Sequence, residues 1–314
     1  MVTLADGRYA IPLAVMVRSL LDRLEPERPV HVVAIDGGIP LETKQKLIDS
    51  WRTSAAWPRA SIEWVAPIYG GAESVPVWGR VPRLTYARIN IEAYLPNAGR
   101  AILLDSDVLV RAGLGRLWDT PLDGVVAAAV ADPFVPSVSS RDGLAAYADL
   151  GLSPDAPYLN AGVMLIDLAL WRERGMAPGA IEFVLKSLSE SRWYDQDAIN
   201  AVLAGQWKQL DPRWQAQPRS AGLSPNRAET ENAWLVHFSG QLKPWLYDGR
   251  STADSEFFEV LDRTEWRGWR QPATARGTLI GFYERRLRRS LYPFEVRALG
   301  WWNRRQGRRH AVIS

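Results

Sequence analysis

The chain alternates between two hydrophobic rhythms. Apolar residues recur at helical spacing from Tyr9 to Leu24 (YAIPLAVMVRSLLDRL), then give way to the β-branched run PVHVVAIDGG, Pro29 to Gly38, which predicts a buried strand closed by glycines. LETKQKLIDSW (Leu41 to Trp51) returns to helix, with Pro40 well placed to start it. SIEWVAP predicts a strand, RLTYARINIEAYL (Arg83 to Leu95) a helix stopped by Pro96, and RAILLDSDVLV (Arg100 to Val110) a second buried strand. VVAAAVAD (Val125 to Asp132) and NAGVMLIDL (Asn160 to Leu168) extend the strand series, and helical spacing recurs at Ile181 to Ser189 and Asp195 to Leu203.

Alternating strands and helices predict an α/β fold, a mostly parallel sheet with helices on both faces. In such sheets ligands lie beyond the carboxyl ends of the strands, so polar residues directly after apolar runs are the ones to examine. Only MVTLA precedes Asp6, which makes the first strand short. After Trp245 the pattern loosens. This divides the chain into an α/β domain over 1–250 and a basic, aromatic C-terminal extension over 251–314, expected to be helical.

Composition narrows the classes. At 314 residues and 47% hydrophobic content the chain can bury a substantial core, and the absence of cysteine excludes a disulfide framework, a thiolate zinc site and a cysteine nucleophile. The longest apolar runs are about ten residues, half the ~20 needed for a membrane span, and no signal-peptide pattern opens the sequence. Neither G-x-G-x-x-G nor G-K-[ST] is present, so the usual dinucleotide and P-loop cradles are missing. The net charge of +3 conceals an asymmetry: Arg276 to Ser314 carries about +8, leaving about −5 on the remainder. The expected location is cytoplasmic, with arginines interleaved with Trp, Tyr and Phe in the tail suiting either a peripheral contact with anionic lipid or a helical cap on the domain. No nucleic-acid fold signature accompanies this charge, so no nucleic-acid partner is expected.

Candidate chemistry gathers at the ends of the apolar runs. Asp105 and Asp107, two apart, can turn both carboxylates toward one point, where like charges call for a divalent cation; the pair equally suits a strand end capped by solvated aspartates. His237 ends the run AWLVHFSG, and an imidazole beside two carboxylates suits Mn²⁺ or a similar ion, whereas alone it fits a hydrogen-bonded core histidine. Gly240 permits close backbone approach and Lys243 offers a point charge for a phosphate. Asn160, Ala161 and Gly162 precede a strand as small residues that could admit a ligand or serve a tight strand entry. Asp195, Gln196 and Asp197 open a helix, where capping and the dipole explain acidic residues equally well.

In this order the segments LADGRYAIPLAVMVRSLL, TYARINIEAYLP, RAILLDSDVLV, YLNAGVMLIDLALWR, WYDQDAINAVL and HFSGQLKPW resemble glycosyltransferase family 8, the retaining enzymes that include bacterial lipopolysaccharide galactosyl- and glucosyltransferases and glycogenin. The resemblance runs from Leu4 to about Trp245. It implies a GT-A fold, Rossmann-like, that binds a UDP-sugar and Mn²⁺, with Asp105, Asp107 and His237 as metal ligands. Gly240 and Lys243 would hold the diphosphate, and Asp6 with Tyr9 the uridine. Arg88, Ser106, Asn160, Ala161, Gly162, Asp195 and Gln196 would surround the donor, and Asp132 would lie on the acceptor side. The implied reaction moves a hexose, galactose or glucose, to a hydroxyl of a glycan or lipid-linked acceptor. Asp195 is the one candidate nucleophile for a double displacement, and Gln196 could instead stabilise the sugar cation; front-face attack is the preferred route. Arg8 departs from the family, where a small polar residue is usual. The competing expectation is a GT-A-like protein that binds nucleotide-sugar or glycan without turnover.

Overall fold

Seven strands in the order β3-β2-β1-β4-β7-β6-β8 build the main sheet of the computed structural model, which describes residues 1–75, 82–187, 191–218, 230–240, 243–246, 252–272, 279 and 282. The strands are β1 (Val2–Ala5), β2 (Val30–Asp36), β3 (Ala60–Val65), β4 (Arg100–Leu104), β6 (Ala127–Ala131), β7 (Leu159–Asp167) and β8 (Trp207–Gln209). Neighbouring pairs are parallel except at β7, which runs antiparallel to both β4 and β6. The short β1 is four residues long, and it pairs on both sides.

Alternation along β4 explains the two cores. Ile102 and Leu104 join Leu13, Met16 and Leu20 of α1 (Ala10–Asp22) and Leu47 and Trp51 of α2 (Leu41–Arg52) on one face. Ala101 and Leu103 face the other way, toward Met164 and Ile166 of β7 and Trp171 of α5 (Leu168–Glu173). A sheet covered on both faces needs this two-sided hydrophobicity, which is why these strands read as continuous apolar runs.

Two expected elements take a different form. The run from Arg100 to Val110 is not one strand. It breaks after Leu104, and β5 (Val108–Val110) pairs antiparallel with β9 (Leu235–His237) in a separate two-stranded sheet. The break carries Asp105, Ser106 and Asp107, whose polar side chains would otherwise have continued into the core. Arg83–Asn90 winds as a 3-10 helix and only Ile91–Tyr94 (α3) is α-helical. Nearly every side chain there is buried, with Leu84, Ala87 and Ile91 in one cluster and Tyr86 and Ile89 in another, so the segment threads between two cores instead of lying on one.

Later helices are α4 (Gly115–Trp118), α6 (Met176–Ser187), α7 (Asp195–Leu203) and α8 (Thr252–Leu261). Phe257, Val260 and Leu261 of α8 pack with Val15 of α1, Leu109 of β5 and Trp245. Buried Arg18 also donates to the carbonyls of Ser50 (3.2 Å) and Arg263 (2.7 Å), tying α1, α2 and the segment after α8 together. No helix among the described residues is long and apolar enough to cross a membrane. The arginine-rich tail lies outside the described residues from 273 onward, apart from Leu279 and Phe282.

Candidate functional site

The carboxyl ends of β1 and β4 lie side by side, with Val2 paired to Leu103, so Asp6 and Asp105 leave the same edge of the sheet. The chain crosses from β4 to β5 at this edge. Because β5 pairs Val108 with His237, the crossing also sets Asp107 beside the imidazole. Ligand atoms of Asp105, Asp107 and His237 all lie within 4.8 Å of one another. His237 Nε2 is 3.2 Å from Asp107 Oδ1 and 3.5 Å from Asp105 Oδ2. Two hard oxygens and one imidazole converging on one point fit a divalent transition ion.

Gly162 makes room for this cluster. A Cβ at that position would meet His237 Cε1 at 2.4 Å, its Nδ1 at 2.8 Å and Asp105 Oδ2 at 3.0 Å. Gly162 also accepts the backbone N–H of Asp105 at 2.8 Å, so β7 fixes the first aspartate while clearing space for the imidazole.

Cations of the chain balance the carboxylates. Lys243 Nζ donates to Asp107 and to the carbonyl of Phe238 (2.7 Å). Burial alone would raise the Asp107 value, but Lys243 and His237 outweigh it and hold the carboxyl well below the usual range. Burial likewise opposes the Lys243 charge, and Asp107 overcomes it, so the ammonium is held above its ordinary value. Arg88 sits buried with its guanidinium 2.8 Å from Asp105 and 3.1 Å from Asp195, and donates to the carbonyl of Ala161 at 3.3 Å. Asp195 is pushed up to about 6 by burial, against the lowering effect of Arg88.

Residues Asn160, Ala161 and Gly162 belong to β7 itself instead of preceding a strand. Asn160 Nδ2 donates to Asp132 Oδ2 at 2.7 Å and its Oδ1 accepts from Gly162 N at 2.9 Å. Gln196 Oε1 accepts from Ala161 N at 3.0 Å, while its Nε2 reaches Asp132 Oδ2 at 3.3 Å. A register shift between Ala129 and Ala131 marks the end of β6, just before Asp132. Thus Asp132, Asn160, Ala161, Gly162, Asp195 and Gln196 are joined to the carboxylate cluster through Arg88 and β7.

The start of α7 is held by Asp197, which faces away from Asp195. Its carboxylate accepts from Tyr158 Oη, Ser191 Oγ (2.8 Å), Arg192 N (2.7 Å) and Trp193 N (3.0 Å). Tyr194, directly before the helix, has φ 55° and ψ −110°, a strained backbone for a non-glycine residue. Four bonds to one buried carboxylate hold that strain in place and deliver Asp195 and Gln196 to the site.

Other expected residues sit at the rim. Tyr9 lies under Lys243, whose Nζ is 5.6 Å from the ring centroid, and packs edge-on to Trp245 at 5.9 Å. Asp6 has its carboxylate engaged by Arg8, through Nη2 at 2.7 Å, Nε at 3.0 Å and the backbone N–H at 2.9 Å. Ser106 is buried in the β4–β5 break. Gly240 has φ 75°, where a side chain would be strained, while Gln241 and Leu242 after it lie outside the described residues.

Gln215 is a site residue that pattern reading missed. It ends the 3-10 turn Pro212–Gln215, directly before the bridge from Ala216 to Val236 of β9, and its Nε2 is 2.9 Å from His237 Nδ1 and bonded to Asn160 Oδ1. The available signal was faint: a polar residue directly after a buried tryptophan, in a segment with no helical or strand period of its own.

Comparison with known proteins agrees with this fold. The model of Glycosyl transferase family 8 matches residues 1–249. General stress protein A of Bacillus subtilis is 30% identical over 286 residues, covering 87% of this chain and 96% of that protein. The solved structure of the galactosyltransferase LgtC in complex with donor and acceptor sugar analogs superposes with a TM-score of 0.70 at 26% identity, over 85% of this chain and 98% of that one. Probable galacturonosyltransferase 6 of Arabidopsis thaliana is 27% identical over 179 residues, 54% of this chain and 30% of that protein. The mixed α/β sheet is the GT-A-like fold seen in LgtC. This chain belongs to glycosyltransferase family 8 and is a glycosyltransferase.

Proposed function

We propose that this chain transfers a hexose, galactose or glucose, from a UDP-sugar to a hydroxyl of a glycan or glycolipid acceptor, with retention of configuration and dependence on Mn²⁺. The observation that carries the reading is the convergence of Asp105, Asp107 and His237 within 4.8 Å, flanked by Lys243 and Arg88. A divalent ion held by these three groups would bind the diphosphate and take up charge on the departing UDP. Lys243 supplies a second positive charge beside Asp107, so the leaving group is stabilised without a proton donor. Asp6 and Tyr9 would receive the uridine, and Gly240 leaves the backbone open to the phosphates.

Around the sugar, Arg88 orients Asp195, and Ala161 N fixes Gln196. An Asp195 carboxylate that is buried and ion-paired to Arg88 is a poor nucleophile. This favours front-face attack: the acceptor oxygen bonds to the anomeric carbon, the carbon–UDP bond breaks on the same face, and a UDP oxygen takes the acceptor proton. Gln196 would face the developing sugar cation, and Asp132 would hold the acceptor. The basic tail is read from sequence as a contact for anionic lipid near a lipid-linked acceptor.

The test is hydrolysis and transfer across a UDP-sugar panel with and without Mn²⁺, with Asp107→Ala beside the wild type. Turnover of a UDP-hexose that needs Mn²⁺ and fails in the variant supports the reading. No turnover and no UDP binding would sink it.

A further inference from the structure

The hydrogen bonds around Asn160 determine which way the buried amide of Gln215 must point. Asn160 Oδ1 already accepts from Gly162 N at 2.9 Å, and its Nδ2 donates to Asp132 at 2.7 Å, so the group facing Gln215 is an oxygen. Gln215 therefore presents its NH₂ there, and the second proton of the same nitrogen points to His237 Nδ1, 2.9 Å away. An imidazole whose Nδ1 accepts carries its proton on Nε2, between the carboxylates of Asp107 and Asp105.

That arrangement is complete on one side and open on the other. Gln215 is 2% exposed, and its Oε1 has no hydrogen-bond partner among the described residues. An unpaired buried acceptor costs about 1–3 kcal/mol, so its retention beside an imidazole calls for an explanation. For Nε2 to give its lone pair to a metal ion, the ring proton must sit on Nδ1, which then needs an acceptor. Oε1 is the oxygen on the same side chain that already touches Nδ1.

We propose that Gln215 is a positioning residue for the metal ligand His237. Its carboxamide holds the ring by donating to Nδ1 in the ion-free protein. When an ion binds, it turns so that Oε1 accepts from Nδ1–H while Nε2 stays on Asn160. An amide suits both states because it carries a donor and an acceptor on one short side chain; a carboxylate or a hydrocarbon lacks one or both. Through Asn160 the same side chain couples the ring to Asp132 and to β7, so metal binding and the donor-sugar strand share one hydrogen-bonded path. The inference rests on the proposed metal role of Asp105, Asp107 and His237.

Two measurements on the full chain test it. Titration of wild type and Gln215→Leu with Mn²⁺, without substrate, is expected to show a Kd weakened about 10- to 100-fold in the variant, the usual cost of removing a partner of a ligating histidine. The tautomer is read by ¹⁵N NMR of His237 in a chain carrying His31→Gln and His310→Gln. The expected result is the Nε2–H form alone, converting to Nδ1–H on addition of diamagnetic Cd²⁺; this measurement does not depend on whether Gln215→Leu folds. A wild type that binds no Mn²⁺ would sink the metal reading itself. A wild type that binds Mn²⁺, with Gln215→Leu binding equally well or with the Nδ1–H form already present without an ion, would overturn the inference about Gln215.

Discussion

Gly162 and His237 occupy space that admits only one side chain, since a Cβ on the glycine would lie 2.4 Å from Cε1 of the imidazole. Both are buried within strands, β7 and β9, so the contact can be relieved only by moving the ring or the strand that carries it. Gly162→Ala is therefore expected to displace His237 by a few tenths of an ångström to an ångström. Such a shift should lower kcat/KM by about 10²-fold. The measurement is steady-state transfer with circular dichroism as a fold control. A variant that retains wild-type activity would show that the ring position is not constrained as described.

The buried pair Lys243–Asp107 is expected to behave as a coupled unit. Each side chain is 8% exposed, so removing one partner leaves a charge with little access to water. Asp107→Asn and Lys243→Met should each destabilise the metal-free protein by about 3 kcal/mol, and the double variant should recover much of that loss. Denaturant unfolding of the four proteins checks this. Additive losses would mean that the pair is not coupled.

Asp195 predicts an acid limb. Its carboxyl is raised from 3.8 to about 6 by burial, so it gains a proton as pH falls through that value and then no longer pairs with Arg88. The free-enzyme profile of kcat/KM is expected to decline below about pH 6, and Asp195→Asn should lack this limb. The sign for stability runs the other way. Between about 4 and 6 the folded form binds more protons at this carboxyl than the unfolded one, so its contribution falls as pH rises across that window.

Asp197 is expected to act on α7 rather than on the sugar. Asp197→Ala would release Tyr158, Ser191 and two backbone N–H groups at once, and with them the strained backbone of Tyr194. Loss of several bonds to one buried carboxylate should cost at least about 1–3 kcal/mol of stability. Because Asp197 faces away from Asp195, kcat should fall through disorder of Asp195 and Gln196 while Mn²⁺ affinity changes little. A metal affinity that collapses with the rate would contradict this separation.

Much of this architecture can be read from periodicity. The strands β2, β4 and β7 each carry a run of consecutive apolar residues (Val32–Ile35, Ala101–Leu104 and Val163–Ile166) because both faces of the sheet are covered, and α2 declares itself by the buried stripe of Leu47, Ser50 and Trp51. Asp105, Asp107 and His237 stand out as polar residues at the ends of such runs. Periodicity fails at Arg83–Asn90, where burial on all sides erases any amphipathic stripe, and at β8 and β9, three residues each. Gln215 was invisible for a related reason: a lone amide has meaning only once its neighbours are known.

The sequence by itself determined which residue types end the strands, and so which carboxylates, imidazole and ammonium the chain could bring to one edge. Only the tertiary structure decided that they meet. Asp107 and His237 are 130 positions apart and come together because β5 pairs with β9 in a second small sheet. Arg88 joins Asp105 to Asp195 across a further 90 positions. Local preference acts over a few neighbours, whereas strand pairing and the burial of charge are satisfied by the whole fold, and the site exists at the level of that second requirement.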